Sequence, residues 1–575
     1  MTSLFFLLVG AFARPDMMEA NKTPFGPNVY VFEPQMSGED IQQTCAEIFK
    51  KMESNQFGPE RIALLFKPGN YKVALDVGFY TQVAGLGQNP DDVHIDGGTS
   101  VPAKWMRNAN ATCNFWRSFE NYSVTPSANE GKLQIAVSQA APIRRLHVKG
   151  ELQLFAWSNN HTPGWASGGF LADSVVDGKA SSGSQQQWLS RNSTWSSWPA
   201  GNWNMVFVGC ENSPAGVFPK KPFTVVEKTP IIREKPYLYV DAKDSYNVFV
   251  PSLRRDSVGV SWLNGSTPGT SLSLDKFYVA HPESATASII NKELSQGKHV
   301  LFTPGIYHLD ETLHVTRANT IVMGLGYATL IPSKGQSAIE VDDVDGVKIA
   351  SLIIDAGPVK SSSLLAVGNG KSKARHTANP ICLFDMTVRT GGASVGLNDD
   401  SVRIDSNDVI VDHIWIWRAD HGVNVHWTTN PSKHGLVVNG DDVIVYGLFN
   451  EHHNEYQTLW NGEEGRVYMY QSEIPYDVPD QQTWGPNGFA SYKVGNQVKR
   501  HEAWGLGIYC FFRDASVKLN SAIEAPAAPG IRFHNMTTIW LTGKPGSEIS
   551  HVINDLGGAA STDAHKQTLA EYPAK

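Results

Sequence analysis

The 575-residue sequence is poor in cysteine, in charge and in long apolar runs. Its five cysteines allow at most two disulfides with one thiol left over, and none forms the Cys-x-x-Cys pair typical of a zinc site. A membrane-spanning helix needs about 20 consecutive apolar residues, and no stretch of the sequence is that long. Acidic residues outnumber basic residues, 56 to 48, so the net charge of −8 disfavours nucleic acid as a partner.

The N-terminus carries a short apolar stretch that predicts a secretory signal. Residues 4–12 are apolar, and Ala11, Phe12 and Ala13 form an A-x-A cleavage site before Arg14. We therefore expect residues 1–13 to be cleaved from a secreted, extracellular protein. Sequons of the type Asn-x-Ser/Thr agree with a secreted glycoprotein, and they begin at Asn21, Asn110, Asn121, Asn160, Asn192, Asn264 and Asn535.

Long helical periodicity is also scarce, whereas turn residues are abundant. The chain has 51 glycines, and asparagine, aspartate and glycine repeatedly bound short runs of valine, isoleucine and tryptophan. This pattern predicts an all-β protein. An apolar content of 41% with 18% charged residues is typical of a globular protein, and the length suggests two or more domains.

An internal duplication divides the chain into two related parts. Residues 62–71 read IALLFKPGNY and residues 298–307 read KHVLFTPGIY, so both contain L-F-x-P-G-x-Y. A segment with helical character precedes each copy, and Gly-Leu-Gly follows each copy at residues 85–87 and 324–326. The same motifs in the same order predict two copies of one architecture.

Short apolar runs follow each copy at irregular intervals. In the second half, Asn, Asp or Gly followed by a valine-rich run recurs near Val409, Val443, Val467, Val498 and Ile531. Coils of about 22–25 residues with variable loops produce such spacing, and stacked coils of this kind form a parallel β-helix. We predict one β-helix over residues 27–212, a second β-helix over 276–555 and a loosely held tail over 556–575. Between the two β-helices, residues 213–275 are predicted to form a proline-rich, irregular but ordered connector with some strands, such as residues 236–240.

Two apolar runs within residues 447–477 end in carboxylates. The first run ends at Glu451 and the second ends at Glu473. Successive coils bring such residues to the same edge of a β-helix, with neighbouring strands about 4.8 Å apart. A general acid needs surroundings that keep it protonated, and Tyr470 and Tyr476 supply part of an apolar wall near Glu473.

Five ordered segments carry a family resemblance. They are SGSQQQWLSRNS at 182–193, GNWNMVFVG at 201–209, WIWRADHG at 415–422, QSEIPYD at 471–477 and HEAWGLG at 501–507. Together with the duplication, they resemble glycoside hydrolase family 55, over residues 27 to 555. The resemblance implies two right-handed, pectate-lyase-like parallel β-helices side by side, with the substrate pocket between them. It also implies a secreted enzyme that cleaves β-1,3-glucan from the non-reducing end, releases glucose and inverts the anomeric centre.

The resemblance assigns roles to the acidic residues. Glu473 matches the family's general acid, and Glu451 matches a second acidic position on the side of the reactive water. An inverting pair holds its carboxyls about 6.5–9.5 Å apart, which slightly staggered residues on neighbouring coils can provide. Asp420 is a third candidate, so Glu451 and Asp420 share the role of base. Glu502 is a rival, but its different distance from the start of its run suggests that it points elsewhere or supports the pocket.

Substrate contacts are expected from both halves. The family uses a glutamine and a serine of the first half near the reactive water, and Gln153 and Ser174 are the best matches. Gln139 and Gln186 are alternatives for that glutamine. The second-half residues that we expect to line the pocket are Tyr476, Trp417, His421 and Trp460.

Two other function classes stay open. A β-helix polysaccharide lyase or polygalacturonase would act on an acidic polysaccharide, and a non-catalytic β-helix would only bind glycans. We expect no cofactor and no metal, because His452 and His453 have no partner at ligand spacing. The expected partner is β-1,3-glucan, without nucleic acid or membrane, and the expected state is a monomer.

Overall fold

A computed structural model describes residues 23–573, except residues 129, 264, 266 and 371–373. The predicted signal sequence lies outside the described residues, as do the sequons at Asn21 and Asn264. Within the described ranges the chain is almost entirely β, and its parallel strands form two stacks in contact with each other. The predicted all-β class and the tandem β-helices are confirmed.

The first stack is one large sheet of parallel strands. Its main row runs, in spatial order, through Val29–Phe32, Ile62–Phe66, Thr81–Gly85, Arg117–Pro126, Pro142–Val148, Phe170–Ala172, Gln187–Arg191, Asn204–Val208 and Phe223–Val226. The strands beside this row are Gly69–Asp76, Val93–Ser100, Lys132–Gln134, Glu151–Gln153, Val175–Ser181 and Thr194–Ser197. Because Phe223–Val226 pairs in parallel with Asn204–Val208, the stack continues beyond residue 212.

Two small antiparallel sheets occupy the segment between the stacks. One joins Thr229–Arg233 to Leu253–Ser257, and the other joins Tyr237–Val240, Tyr246–Pro251 and Gly269–Ser273. The strand predicted at residues 236–240 is confirmed as Tyr237–Val240, and the other four strands make the connector more regular than predicted. Its prolines are compatible with strands because Pro236 precedes one strand and Pro251 ends another, where the ladder is not interrupted.

The second stack has two long sheets. The sheet that faces the first stack contains Phe277–Ala280, His299–Phe302, Ile321–Gly324, Lys348–Ala350, Cys382–Thr390, Ile410–Arg418, Ile444–Glu451, Gly465–Glu473, Arg500–Phe512, Gly530–Gly543 and Lys566–Tyr572, with Ile306–Leu309, Thr329–Pro332 and Ile353–Asp355 beside them. The other sheet contains Leu313–Val315, Ile339–Val341, Ser361–Val367, Asn398–Ile404, Ser432–Val438, Thr458–Trp460, Tyr492–Val494, Lys518–Glu524, Glu548–Ile553 and Ala560–Ser561. Lys566–Tyr572 pairs antiparallel with Gly530–Gly543, so the prediction of a loosely held tail is wrong there.

Helices are few and short. The α-helices are Gly38–Met52, Ala287–Ser295 and Gln481–Trp484, and the 3₁₀ turns are Pro90–Asp92, Arg107–Ala109 and Leu274–Lys276. The first two α-helices precede the two copies of the duplicated motif, as predicted. Each covers the open end of its stack.

The duplicated motif makes the same contacts in both copies. The Tyr71 hydroxyl donates to the carbonyls of Phe32, at 3.0 Å, and Lys67, at 2.7 Å. The Tyr307 hydroxyl donates to the carbonyls of Ala280, at 2.7 Å, and Thr303, at 2.8 Å. In each stack the tyrosine therefore ties its own turn to the first strand, which explains why both copies keep it.

A column of residues with left-handed backbone bends the strands of the facing sheet. Asp385, His413, Gly447, Met469 and Gly505 have φ angles of 49°, 68°, 70°, 66° and 68°. Strand register stacks them one above another. Each bend shifts the in–out alternation, so residues on both sides of it face the first stack.

The first stack packs closely against this bend. A Cβ at Gly447 would lie 3.1 Å from a ring carbon of Phe170 and 3.3 Å from Leu189. A Cβ at Gly505 would lie 2.3 Å from Val206. Glycine is required at these positions both by the left-handed backbone and by the approach of the neighbouring side chains.

Buried ion pairs join the two stacks. Arg144 of the first stack donates to Asp385, at 2.8 Å, and to Asp412, at 2.6 Å, both from the second stack. Arg191 donates to Asp412, at 2.9 Å, and to Glu234 of the connector, at 2.7 Å. None of these side chains is more than 4% exposed. Burial makes each charge depend on its partner, so the network sets the position of one stack against the other.

The cysteines form no disulfide. All five are free thiols, and Cys45, Cys382 and Cys510 are buried. None of the helices in the described ranges combines the length and the apolar composition that crossing a membrane requires.

Two of the predicted sequons are closed to glycosylation in the folded chain. Asn121 and Asn192 are fully buried. The Asn121 amide donates to the carbonyl of Gly85, at 3.0 Å, and the Asn192 amide donates to the carbonyl of Gly259, at 3.2 Å. Asn160, by contrast, is exposed.

Candidate active site

Two carboxylates stack between aromatic rings where the strands of the facing sheet end. Phe449 pairs with Gln471, which places Glu451 beside Glu473 on neighbouring coils. Trp417 pairs with Glu451 on one side, and Tyr509 pairs with Glu473 on the other. The predicted meeting of the two acids at one edge is confirmed. The predicted starting points of the two apolar runs do not lie opposite each other, however. Val467 pairs with Val445 rather than with Val443, which is a shift of two residues.

Glu451 is held by two N–H donors. The indole Nε1 of Trp415 donates to Glu451 Oε2 at 2.9 Å. The side-chain amide of Gln139, from the first stack, donates to Glu451 Oε1 at 3.3 Å. Burial raises the pKa of Glu451 to about 8, and the charge of Asp420 adds to this, although the two hydrogen bonds lower it in part.

Glu473 is the more strongly perturbed acid. It is 8% exposed, and the Tyr476 hydroxyl donates to its Oε2. Burial raises the pKa of Glu473 well above its usual range, and the negative charges of Glu451 and Asp420 raise it further. Both oxygens of Glu451 receive N–H donors, which favour the charged form. Glu473 therefore holds its proton more strongly than Glu451 does, and when the pair carries a single negative charge, Glu451 carries it.

Asp420 lies beside the pair and carries a negative charge. Its Oδ1 accepts a hydrogen bond from His421 Nδ1 at 2.8 Å and lies 3.9 Å from His452 Nε2. Burial by itself raises the pKa of Asp420, but the hydrogen bond from His421 and the electrostatic interactions with the His452 and His421 rings lower it to about 2. Arg418 pairs with Asp477, at 2.7 Å, rather than with Asp420.

The first-half prediction is wrong for two residues. The Gln153 amide donates to Gln134, at 3.2 Å, and to the carbonyl of Phe155, at 2.9 Å. The Ser174 hydroxyl donates to the carbonyl of Ala172, at 2.8 Å. The Ser174 hydroxyl also accepts from the Leu146 N–H at 3.0 Å, so both side chains join neighbouring coils inside the first stack, where a buried polar group must find a partner.

Gln139 takes the place that was predicted for Gln153. Its backbone has φ of 34°, and its carbonyl accepts a hydrogen bond from His413 Nε2 at 3.2 Å. Its buried Oε1 has no protein partner among the residues that the structure describes. An unpaired buried acceptor next to a carboxylate suits a water molecule, which donates to both oxygens.

The two predicted tryptophans are not sugar platforms. Trp460 is fully buried inside the second stack, where its ring packs against those of Tyr492 and His501. Trp417 is 1% exposed and lies parallel to Phe57 of the first stack, with ring centroids 6.3 Å apart. Both predictions are wrong because each ring is covered on its faces by protein. Trp417 supports the carboxylates as part of the wall behind them.

The remaining predicted residues divide between the site and a distant edge. Tyr476 contacts Glu473, and His421 contacts Asp420, so both lie at the site. Glu502 pairs with Arg466 and Arg532, at the opposite end of the strands from Glu473, and accepts a hydrogen bond from His534 at 2.8 Å. Of the two roles expected for Glu502, the structure shows the first, in which its side chain points elsewhere.

Two residues of the site, Gln471 and His452, were not predicted from the sequence. Gln471 donates to the carbonyl of Ser167 in the first stack, and His452 lies between Asp420 and Glu473. Gln471 precedes Glu473 by two residues, so the alternation of a strand places both on one face, and that signal was available. The sequence did not indicate the role of His452, because its left-handed backbone, with φ of 69°, interrupts the alternation of the strand.

We expect Gln139→Ala to lower kcat on β-1,3-linked oligosaccharides by about 10–100-fold, since a hydrogen bond to a charged group contributes about 1.5–3 kcal/mol. Steady-state kinetics measure this effect. Gln153→Ala is the matched control, because it removes a buried glutamine of the same stack without touching Glu451. Equal losses in the two variants would contradict the assignment.

Comparison with known proteins agrees with this geometry. The family model for the LAM55 pectate lyase-like domain matches residues 277–473. An exo-beta-1,3-glucanase of Streptomyces sp. (strain SirexAA-E / ActE) is 49% identical over 543 residues, which cover 94% of this chain and 88% of that protein. A glucan 1,3-beta-glucosidase of Cochliobolus carbonum is 23% identical over 294 residues, which cover 43% of this chain and 36% of that protein.

Solved structures agree over nearly the whole chain. The structure of sacteLam55A from Streptomyces sp. SirexAA-E has a TM-score of 0.92 and 47% sequence identity, and the match covers 96% of this chain and 99% of that one. A variant of the same protein in complex with glucose has the same TM-score, identity and coverage.

Proposed function

This chain belongs to glycoside hydrolase family 55, and on that premise we propose that it hydrolyses β-1,3-glucan from the non-reducing end with inversion, releasing glucose. The observation that carries the proposal is the stacked pair of Glu451 and Glu473, in which Glu451 accepts two N–H donors and Glu473 holds its proton more strongly. Hydrolysis of a glycosidic bond requires that combination of an acid and a base. The exo-beta-1,3-glucanase of Streptomyces supports the substrate and the mode of attack.

Glu473 is the general acid of the proposed reaction. Its burial and the neighbouring negative charges keep the proton on its carboxyl. As the glycosidic bond breaks, Glu473 gives this proton to the departing oxygen, which avoids a free alkoxide. The Tyr476 hydroxyl on Oε2 holds the carboxyl in one orientation.

Glu451 is the base, in preference to Asp420. Next to Glu451, Gln139 Oε1 is an unpaired acceptor that suits a water molecule, whereas the neighbours of Asp420 are the rings of His421 and His452. Glu451 takes a proton from this water as its oxygen attacks the anomeric carbon. Because water and leaving group occupy opposite faces of the sugar, the product has the inverted configuration.

Trp165 is positioned to contact the rest of the glucan chain. It is 72% exposed, and its carbonyl accepts a hydrogen bond from the Ala111 N–H at 2.7 Å. Two residues later, the carbonyl of Ser167 accepts from Gln471, which places this segment next to the coil of Glu473. An exposed indole at the rim suits stacking on a pyranose ring.

The test is proton NMR of the first product formed from laminarin. We expect α-glucose to accumulate before mutarotation, and a β-glucose first product would contradict inversion. A β-1,3-linked oligosaccharide labelled at its reducing end tests the direction of attack, because the first glucose released should carry no label. Activity on pectate or alginate without activity on laminarin would favour the lyase or polygalacturonase alternative. Secretion and the monomeric state stay predictions.

A further inference from the structure

His452 occupies a fixed place between two carboxylates. It follows Glu451 directly, is 2% exposed, and its backbone N–H donates to the carbonyl of Glu473 at 2.9 Å. Its ring Nδ1 lies 3.3 Å from the carbonyl of Ile474. A carbonyl only accepts, so Nδ1 carries the hydrogen and the lone pair of the neutral ring is on Nε2.

The free ring nitrogen faces the acid of the proposed reaction. His452 Nε2 lies 3.8 Å from Glu473 Oε2 and 3.9 Å from Asp420 Oδ1. These distances are longer than a hydrogen bond, and one bridging water or a small side-chain shift spans each of them. A single proton transfer, direct or through one water, therefore connects Nε2 with each of the two carboxylates.

The same contacts continue to the surface. Asp420 Oδ1 accepts from His421 Nδ1 at 2.8 Å, and the side chains of Asp420 and His421 are 22% and 37% exposed. The far nitrogen of His421 lies 2.6 Å from the side-chain amide of Gln56. A continuous path of titratable groups thus leads from solvent to Glu473, while Glu473 itself is buried.

An inverting hydrolase must reset both of its acids after every turnover. The general acid has lost a proton to the leaving sugar, and the base has gained one from water. We propose that His452 is a proton-relay residue that returns a proton to Glu473 from solvent through His421 and Asp420. This inference rests on the proposed function and adds a path for the reset.

The relay balances its protons at every step. His421 Nδ1 passes a proton to Asp420 Oδ1, Asp420 passes one to His452 Nε2, and Nε2 passes one to Glu473 Oε2. His421 regains a proton from solvent, and Glu451 releases to solvent the proton that it took from water. Each O–H or N–H bond that breaks is matched by one that forms.

The surroundings of His452 suit a transient proton carrier. Burial lowers the pKa of His452, so the resting ring is neutral and able to accept, while Asp420 stabilises the brief cation. The titratable or charged groups around the ring are Asp420, Glu473, Tyr476, Arg418, Asp477 and His453. Burial by itself lowers the pKa of His421, but its hydrogen bond to Asp420 raises it to about 10, so His421 is a cation at the solvent end of the path.

Pre-steady-state kinetics of His452→Asn on a β-1,3-linked glucose trisaccharide test the relay. Glu473 is already protonated before the first turnover, so we expect a first turnover within about threefold of the parent rate. Later turnovers should be at least about tenfold slower, giving a burst of one glucose per enzyme. Added imidazole should restore the steady-state rate in proportion to its concentration. Asp420→Asn, which interrupts the path and leaves His452 in place, should give the same burst.

The matched control is His434→Gln, which removes a histidine that pairs with Asp400 and Glu455 in the other sheet. It should show no burst and an unchanged kcat. An equal slowing of first and later turnovers in His452→Asn, or a steady-state rate equal to the parent, would overturn the relay. Glu473 would then regain its proton directly from Glu451 or from Tyr476. A parent enzyme that releases no glucose would instead overturn the proposed function.

Discussion

Glu473→Gln is expected to lower kcat by about 10²–10⁴-fold, the usual contribution of a general acid, while KM changes by less than about threefold. Glutamine keeps the shape of the side chain and still accepts from Tyr476, but it has no proton to give to the leaving oxygen. The pocket and the fold are retained because the carboxyl that is replaced is neutral. No buried charge loses its partner.

Steady-state kinetics on laminarin and calorimetric binding of a β-1,3-linked oligosaccharide measure the two parts of this expectation. Glu502→Gln is the matched control, since Glu502 belongs to the neighbouring strand and points to the other end of the sheet. It should retain full activity. A near-parental kcat for Glu473→Gln, or a complete loss of activity for Glu502→Gln, would contradict the assignment of Glu473 as the acid. The catalytic residues would then lie at the other end of these strands.

Arg144→Met is expected to destabilise the protein by about 3–5 kcal/mol, the usual cost of removing one member of a buried ion pair. Arg144 donates to Asp385 and Asp412, and these two carboxylates belong to the other stack. Arg144 holds the pKa of Asp385 well below its usual range, although burial by itself raises it. Methionine fills much of the same volume, so the loss reports on charge rather than on packing.

Urea unfolding followed by tryptophan fluorescence measures this effect through the midpoint and slope of the transition. Arg403→Met is the control, because Arg403 pairs at 3.0 Å with Asp405 while its own side chain is 45% exposed, and such pairs contribute little. We expect its midpoint to stay within experimental scatter of the parent. If Arg144→Met and Arg403→Met were equally stable, the ion network would not hold the stacks together.

The acids were predictable because their signal is local. Each apolar run of the facing sheet ends after a regular number of residues. The sequence separation between Glu451 and Glu473 equals the offset at which their two strands pair. Sequence position was misleading for Trp460, which lies between the two acids in the chain but belongs to the other sheet of the second stack. A run alone does not reveal on which sheet of a coil it lies, because both sheets bury one face.

The first-half residues were not predictable for a different reason. Gln139 and Gln153 are both glutamines beside short strands, and both are buried. Only the left-handed backbone of Gln139 and the approach of the second stack turn its amide toward Glu451, whereas Gln153 bonds within its own stack. Residues more than 300 positions apart meet here, and no periodicity within either half records that contact.

The sequence by itself determined the architecture and one half of the site. Duplicated motifs and coil-length spacing required two β-helices, and residues 447–477 required two acids at one edge, because strand periodicity and stacking are local properties of the chain. The tertiary structure alone decided the other half. It placed Gln139 on Glu451, made Glu473 the protonated member of the pair, and set His452 between Glu473 and Asp420. These outcomes depend on burial and on charges brought together from separate coils and separate stacks, and such long-range electrostatic terms are fixed only when the two β-helices are packed against each other.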